Sequence, residues 1–373
     1  MWVGGFLKKT IFIIILSLFF SAECFAFSDI SAKSYVVMEQ STNSVIFSKN
    51  MNVRMKPAST TKILTAICAV ENARLTDLVT VSKNAAYQEG SSMYLKEGDK
   101  VTLENLVYGL MLNSGNDAAV AIAEHIGGSV EKFSNIMNNK AKDIGAVNSN
   151  FENPNGLDSD EHYVTAYDLA LITSYCLNNE KFSEIVATKS KVIKGNDGLN
   201  KYLSNHNKML HTYPDCIGVK TGFTKKSGRT LVTSAKKDGI KIIVVTLNAP
   251  NDWSDHKKLL DRGFLSVEKE KIIDNTKVVD EVNIKGGTKE KVSVKCEEEF
   301  YGVKIKGNDE TYDVVYKYDK LKAPVISMQK AGEALVYKNG KEIFKTNLIT
   351  TEDVEKKKGF SIIEFIKRIF KLW

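Results

Sequence analysis

The sequence predicts an α/β protein of the α+β sandwich type, with helices grouped beside an antiparallel sheet. A small all-β domain and an amphipathic C-terminal helix are expected to follow. Three observations carry this expectation. Strand-like apolar runs near residues 34–48 recur at 216–248, and the stretch between them has helical periodicity. Beyond about residue 268, short alternating runs broken by glycine and asparagine turns take over. Residues 360–373 gather their apolar side chains on one half of a helical wheel.

Taken in order, the chain opens with an export signal. Lys8 and Lys9 precede the apolar run Ile11 to Phe20, which is too short to span a bilayer. Cys24-Phe25-Ala26 supplies small residues two apart, so cleavage after Ala26 and work outside the cytoplasm are expected. An uncleaved helix would bury Glu23, and a lipid anchor on Cys24 would need a small residue where Glu23 stands. Residues 34–38 and 44–48 read as a β-hairpin. A helix is expected from Thr60 to Asn72, and Thr102 is placed to cap another through Leu112. Further helices are expected over 118–126, 166–177 and 255–264. Residues 145–162, rich in Asn, Asp, Gly and Pro, read as a long loop.

Strands are expected over 216–222, 230–235 and 240–248, and in the β-domain over 278–284, 292–296, 303–306, 312–318 and 334–337. The expected organisation is a signal peptide over 1–26, a main domain over 27–267, the all-β domain over 268–352 and an anchoring helix over 353–373. In the tail, Ile362, Ile363, Phe365, Ile366, Ile369 and Phe370 share one face, with Lys367, Arg368 and Lys371 opposite. That pattern fits a helix lying on an anionic membrane surface, or one docked on the protein's own core.

Charge and composition narrow the function. The net charge of +7 divides into +1 over residues 1–26, +5 over 356–373 and +1 over the body. A nucleic-acid-binding domain would carry its positive charge on the folded body, so that class is excluded. Cys68, Cys176, Cys216 and Cys296 are scattered without a Cys-x-x-Cys pair and read as free thiols. His125, His162, His206, His211 and His256 show no ligand spacing, so neither a metal nor another cofactor is expected.

Ser-x-x-Lys recurs along the chain, and five of its occurrences begin at Ser59, Ser129, Ser234, Ser254 and Ser266. A serine attacks a carbonyl only if a base takes its proton, and lysine serves only when neutral. Three residues apart on a helix the two can touch, and a helix start favours an oxyanion. Of the five, Ser59 alone is read as sitting at a helix start, with Lys62 following it. Ser114-Gly115-Asn116 lies in an expected interhelical loop, and Lys220-Thr221-Gly222 ends an expected strand.

With these three motifs in this order, the sequence resembles the serine penicillin-binding enzymes. Within them it is most similar to D-alanyl-D-alanine carboxypeptidases of low molecular mass. The strings Arg54 to Lys62, Leu112 to Ala118, Phe151 to Leu157, His162 to Asp168 and Gly218 to Thr224 carry the similarity, over about residues 30–265. The resemblance implies a β-lactamase/transpeptidase-like fold and an acyl-enzyme on Ser59. The substrate would be the D-Ala-D-Ala end of a peptidoglycan stem pentapeptide, and β-lactam antibiotics would acylate the same serine.

Lys62 would be the base, Ser114 a proton relay, and Asn116 a hydrogen-bond partner of the substrate amide, unless it merely caps the next helix. Lys220 and Thr221, followed by Gly222, would hold the terminal carboxylate. The Ser59 and Phe223 backbone N–H groups would form the oxyanion hole. Asn155-Gly156 reads as a tight turn, while His162 and Asp168 read as positioning the loop. Phe223 stands where some relatives carry a polar residue, and Arg229 is either extra charge for the carboxylate or a solvated surface arginine. Two other readings compete. A β-lactamase shares the trio, but the Glu-x-x-Leu-Asn string of its class A deacylation step is missing here. A non-catalytic envelope sensor that binds peptidoglycan or β-lactam would differ only in lacking turnover.

Overall fold

The computed structural model describes residues 29–194, 200–308 and 311–358. The expected signal peptide and the apolar part of the tail lie outside these residues. Residues 353–358, expected to open the anchoring helix, instead join the β-domain through bridges of Val354 to Val325 and Lys356 to Gly287. The chain begins with the hairpin β1 (Ser34–Glu39) and β2 (Ser44–Lys49), then enters a helical block. That block holds α1 (Lys62–Asn72), α2 (Leu103–Leu112), α3 (Asn116–Gly127), α4 (Val130–Ile144), α5 (Ala166–Cys176) and α6 (Glu180–Ala187). Strands β3 (Cys216–Thr224), β4 (Gly228–Lys237) and β5 (Ile240–Leu247) and helix α7 (Asp252–Leu265) complete the unit.

The five strands form one antiparallel sheet in the order β2-β1-β5-β4-β3. Its central strands are nearly all apolar because both faces are covered. Val36, Met38, Ile243 and Val245 join the core under the helical block. Val37, Ile242 and Val244 alternate with them and pack with Leu259 and Leu260 of α7. His256 fastens α7 to the sheet, its two ring nitrogens 2.7 and 2.8 Å from the Thr233 and Thr246 hydroxyls. Burial drops its pKa to about 3, so the ring stays neutral.

Three elements of the helical block differ from the sequence expectation, one of them α6, which was not foreseen. Helix α4 was not foreseen, although Val130, Phe133, Met137, Ala141 and Ile144 recur at helical spacing and pack against the core. Its ends carry familiar signals, with Ser129 as N-cap and Gly145 in the left-handed region at the C-cap. The helix expected from Thr60 starts instead at Lys62, preceded by a 3₁₀ turn over Ala58–Thr61. Thr102 does cap α2, its hydroxyl accepting from Asn105 N at 3.3 Å.

Strand β6 (Val267–Ile273) leads into the C-terminal all-β domain and pairs with β9 (Phe300–Ile305). The remaining strands are β7 (Val278–Lys285), β8 (Lys291–Cys296), β10 (Tyr312–Tyr318), β11 (Leu321–Lys322), β12 (Lys330–Lys338) and β13 (Lys341–Thr350). They form a six-stranded sheet in the order β10-β12-β13-β8-β7-β11. Strands β6 and β13 were not foreseen, since charged residues interrupt their alternation. Tyr318 closes the curled sheet by donating to Asp280 Oδ2 at 2.6 Å. The four cysteines expected as free thiols are free, three of them buried. No helix among the described residues is long and apolar enough to cross a membrane.

Candidate active site

Lys62 sets the centre of the site. It is wholly buried in the first turn of α1, and its Nζ reaches three oxygens. Ser59 Oγ lies at 3.0 Å, Asn116 Oδ1 at 2.7 Å and the Asn155 carbonyl at 2.5 Å. Burial pushes its pKa well below the usual lysine range, the Lys220 charge pushes the same way, and Asp117 opposes them. Lys220 is also buried, which alone lowers its pKa to about 7. Sheet register explains its direction: Lys220 pairs with Val232, which pairs with Val245, which pairs with Val36. Those three valines face the helical block, so Lys220 does too.

Each neighbour is held by local structure. Asn116 opens α3 after Gly115, and its Nδ2 donates to the Glu89 carbonyl at 2.6 Å. It therefore does not cap its own helix. Asp117 beside it accepts from Ser92 Oγ at 2.6 Å and from the Met93 and Leu95 amides, fixing the loop that brings Ser91 to the site. Ser114 is buried with φ +58, a left-handed conformation that costs a non-glycine residue roughly 1–3 kcal/mol.

Two glycines permit the close approaches. A Cβ on Gly222 would stand 2.4 Å from Thr230 Oγ1 and 2.9 Å from the Ser59 amide, so only glycine lets β3 lie against the 3₁₀ turn. Thr230 fixes the same contact by donating to the Pro57 carbonyl at 3.0 Å. A Cβ on Gly156, whose φ is +84, would fall 1.9 Å from the Ala58 carbonyl. The Asn155-Gly156 turn thus presses onto the 3₁₀ turn and delivers a backbone acceptor to Lys62. Sequence reasoning missed this contribution, because a carbonyl leaves no signature in residue type.

His162 and Asp168 hold that loop as expected. The Glu152 amide donates to His162 Nδ1 at 3.0 Å, so Nε2–H donates to Thr61 Oγ1 at 2.8 Å. Burial drops the His162 pKa to about 4. Asp168 accepts from Asn148 N at 2.7 Å and Ser149 Oγ at 2.8 Å.

Ser59, Ser114, Thr221, Gly222 and Phe223 line one cleft of about 370 Å³, with Lys62 and Lys220 buried behind it. Ser91, His206, Lys208, Arg229 and Trp253 complete its walls. Of these, Ser91, His206, Lys208 and Trp253 belong to no motif and were not foreseen. The Phe223 ring is mostly exposed. Arg229 is partly solvated, but its side chain is also anchored. Its Nε donates to buried Asp252 at 2.8 Å, and its guanidinium lies 5.6 Å from the Trp253 ring centre.

Another expectation needs correction: Ser59 is not the only Ser-x-x-Lys serine at a helix start. Ser129 caps α4, and Ser254 lies in the first turn of α7. Their lysines, Lys132 and Lys257, are exposed, so burial of the lysine is what separates the Ser59 pair from these two.

A serine beside a buried lysine, where a helix start packs against an antiparallel sheet, is an arrangement that suits a serine hydrolase, the class to which family and relatives assign the chain. Residues 21–251 match the family described as D-alanyl-D-alanine carboxypeptidase, and residues 268–356 match penicillin-binding protein 5, C-terminal domain. D-alanyl-D-alanine carboxypeptidase DacF of Bacillus subtilis is 33% identical, with 98% of each chain covered. DacD of Escherichia coli is 32% identical, covering 95% of this chain and 96% of its own. Among solved structures, penicillin-binding protein 5 from Haemophilus influenzae superposes with a TM-score of 0.64 at 29% identity, over 88% of this chain and 98% of that one. The chain belongs to the D-alanyl-D-alanine carboxypeptidase family.

Proposed function

We propose that the protein removes the terminal D-alanine from peptidoglycan stem pentapeptides through an acyl-enzyme on Ser59, and that penicillin acylates the same serine. The observation that carries this reading is the environment of the Lys62 amine. A neutral amine has two N–H donors and one lone pair. Two carbonyl oxygens, from Asn116 and Asn155, match the donors, and the Ser59 hydroxyl matches the lone pair. Lys62 then takes the Ser59 proton as Oγ attacks the carbonyl between the two D-alanines. The Ser59 and Phe223 amides meet the oxyanion. Ser114 passes the proton to the leaving nitrogen, and free D-alanine departs. Lys62 next takes a proton from water, which attacks the ester and restores Ser59.

Substrate binding and base activation are linked in this scheme. The terminal carboxylate docks on Thr221 and Lys220, in front of Gly222, and favours the charged form of Lys220. That positive charge favours the neutral form of Lys62 in turn. Asn116 keeps one Nδ2 hydrogen for the substrate amide, since its other polar positions are engaged by Lys62 and Glu89.

The same reading covers organisation and location. Residues 1–26 direct export, 27–267 carry the chemistry, and 268–352 form the β-domain. Residues 359–373 hold the enzyme on the outer face of the cytoplasmic membrane, supported by the one-sided apolar pattern of the tail and the lysines in and just before it. Intact-mass analysis after penicillin treatment, followed by peptide mapping, tests the site. An adduct on Ser59 together with D-alanine release from a D-Ala-D-Ala peptide is expected. An adduct elsewhere, or acylation without any peptide turnover, overturns the proposal.

A further inference from the structure

The far end of the β-domain gathers features that the chemistry does not use. Register brings the ends of β7, β10 and β13 and the starts of β8 and β12 to one edge of the domain, where Ile284 pairs with Leu321 and Lys330 with Ile349. The chain leaves the described residues at this same edge: Val354 bridges to Val325, and Lys356 to Gly287. The loop between β11 and β12 lies between them and turns Ile326 and Met328 outward, 64% and 60% exposed.

Scattered exposed apolar residues are ordinary, but this loop is held rigidly in its exposing shape. Met328 has φ +66, a strained value for a side-chain-bearing residue. Its amide donates to the Thr350 carbonyl at 2.8 Å. The Ser327 amide donates to Asp353 at 2.6 Å, and Thr350 Oγ1 donates to the Ile326 carbonyl at 2.6 Å. Around the loop stand Lys285, Lys320 and Lys322, without an ion pair among the described residues, and Lys356 to Lys358 follow at the exit. Segments 284–291, 320–330 and 351–358 together carry a net charge of +5.

We propose that this edge is a second membrane contact, in which Ile326 and Met328 enter the interface of an anionic bilayer while the surrounding lysines meet its headgroups. The inference rests on the reading of residues 359–373 as a membrane anchor, because that tail starts from this edge and brings the loop to the surface. Two shallow insertions and a basic ring match the chemistry of a lipid interface, apolar below and anionic above. A single amphipathic helix binds reversibly, and a pinned loop beside it adds affinity without added ordering cost.

Flotation of the exported protein with vesicles of 30% phosphatidylglycerol in phosphatidylcholine tests this. Changing Ile326→Ser and Met328→Ser together should weaken binding at least tenfold, with thermal melting and D-alanine release from a soluble peptide unchanged. In a Met328→Trp variant, acyl-chain-brominated lipid should quench the added fluorescence relative to the parent protein. If the double variant binds as the parent does and the added tryptophan is not quenched, the loop does not touch lipid and the inference falls. Removing residues 359–373 separates the two readings. If that removal leaves vesicle binding intact, the anchor reading fails. If it abolishes binding while the loop variant binds normally, the anchor reading stands and the loop inference alone is overturned.

Discussion

Two regions of this molecule carry the same four-residue pattern near the start of a helix, in very different surroundings. Ser129 caps α4 with Lys132 in its first turn, while Ser59 lies in the 3₁₀ turn that leads into α1 at Lys62. The Ser129 hydroxyl is occupied as a cap, accepting from the Lys132 amide at 3.2 Å, and the Lys132 side chain stands in water. At the start of α1 no side chain caps the helix, so the Ser59 hydroxyl is left to face Lys62 Nζ. Sequence position fixes the reach of the pair in both cases. Environment decides whether the lysine can be neutral and the serine free.

The strongest way to break this contrast is to remove each hydroxyl. Ser59→Ala should lower D-alanine release by about 10⁴-fold or more, as expected for a lost nucleophile, and abolish penicillin labelling. Ser129→Ala should leave both within about twofold. Steady-state assays and intact mass on the two variants decide it. Equal losses would show that the buried environment of Lys62 does not set the two pairs apart.

The lysines give a somewhat smaller effect. Arginine stays protonated, so Lys62→Arg should lose about 10³-fold in acylation rate, as for a missing general base. Lys132→Arg should be silent. Stopped-flow measurement of penicillin acylation separates them, and an active Lys62→Arg enzyme would remove the base assignment.

A titration sharpens the comparison further. In the proposed mechanism Lys62 acts only when unprotonated, so acylation should rise with pH and level off above its pKa. The nearby Lys220 charge lowers that pKa. Lys220→Ala removes the push, the ammonium becomes easier to keep, and the midpoint should move to higher pH. A pH profile of the acylation rate, read for its midpoint and separately from any loss of affinity, tests this. A midpoint that stays put or falls would contradict the coupling.

The smallest expected effect lies at the inactive pair. Losing the Ser129 cap should cost about 1 kcal/mol of stability, a fall of a few degrees in Tm. Calorimetry on Ser129→Ala checks it.

Much of the fold was legible because its signals are local. Thr102 caps α2 as its sequence position implied, and the strand pairs around Lys225–Gly228 and Lys237–Gly239 follow from turn residues between apolar runs. Helix α4 carried a readable signal that the sequence reading passed over, with Val130, Phe133, Met137, Ala141 and Ile144 at helical spacing between the Ser129 cap and Gly145. At the site, side chains in motifs were visible, including Ser59, Lys62, Ser114, Asn116 and the 220–222 string. The Asn155 carbonyl was not, since every residue carries one. The Asp252 clasp on Arg229 was also hidden, because it joins residues 23 positions apart that meet only after β4, β5 and α7 have packed.

The buried thiols turn the helical core into its own clock. Cys68 and Cys176 are fully covered, and burial raises both pKa values, Cys68 to about 12. Alkylating reagents attack thiolates, so in the native state neither sulfur should react at neutral pH. Modification must wait until α1 and α5 open, and its rate then reports how often they do so. Penicillin bound covalently at the start of α1 should slow that opening if it stabilises the helix start. Mass spectrometry of iodoacetamide uptake at these two cysteines, with and without the drug, would follow the lifetime of the closed core without any added probe.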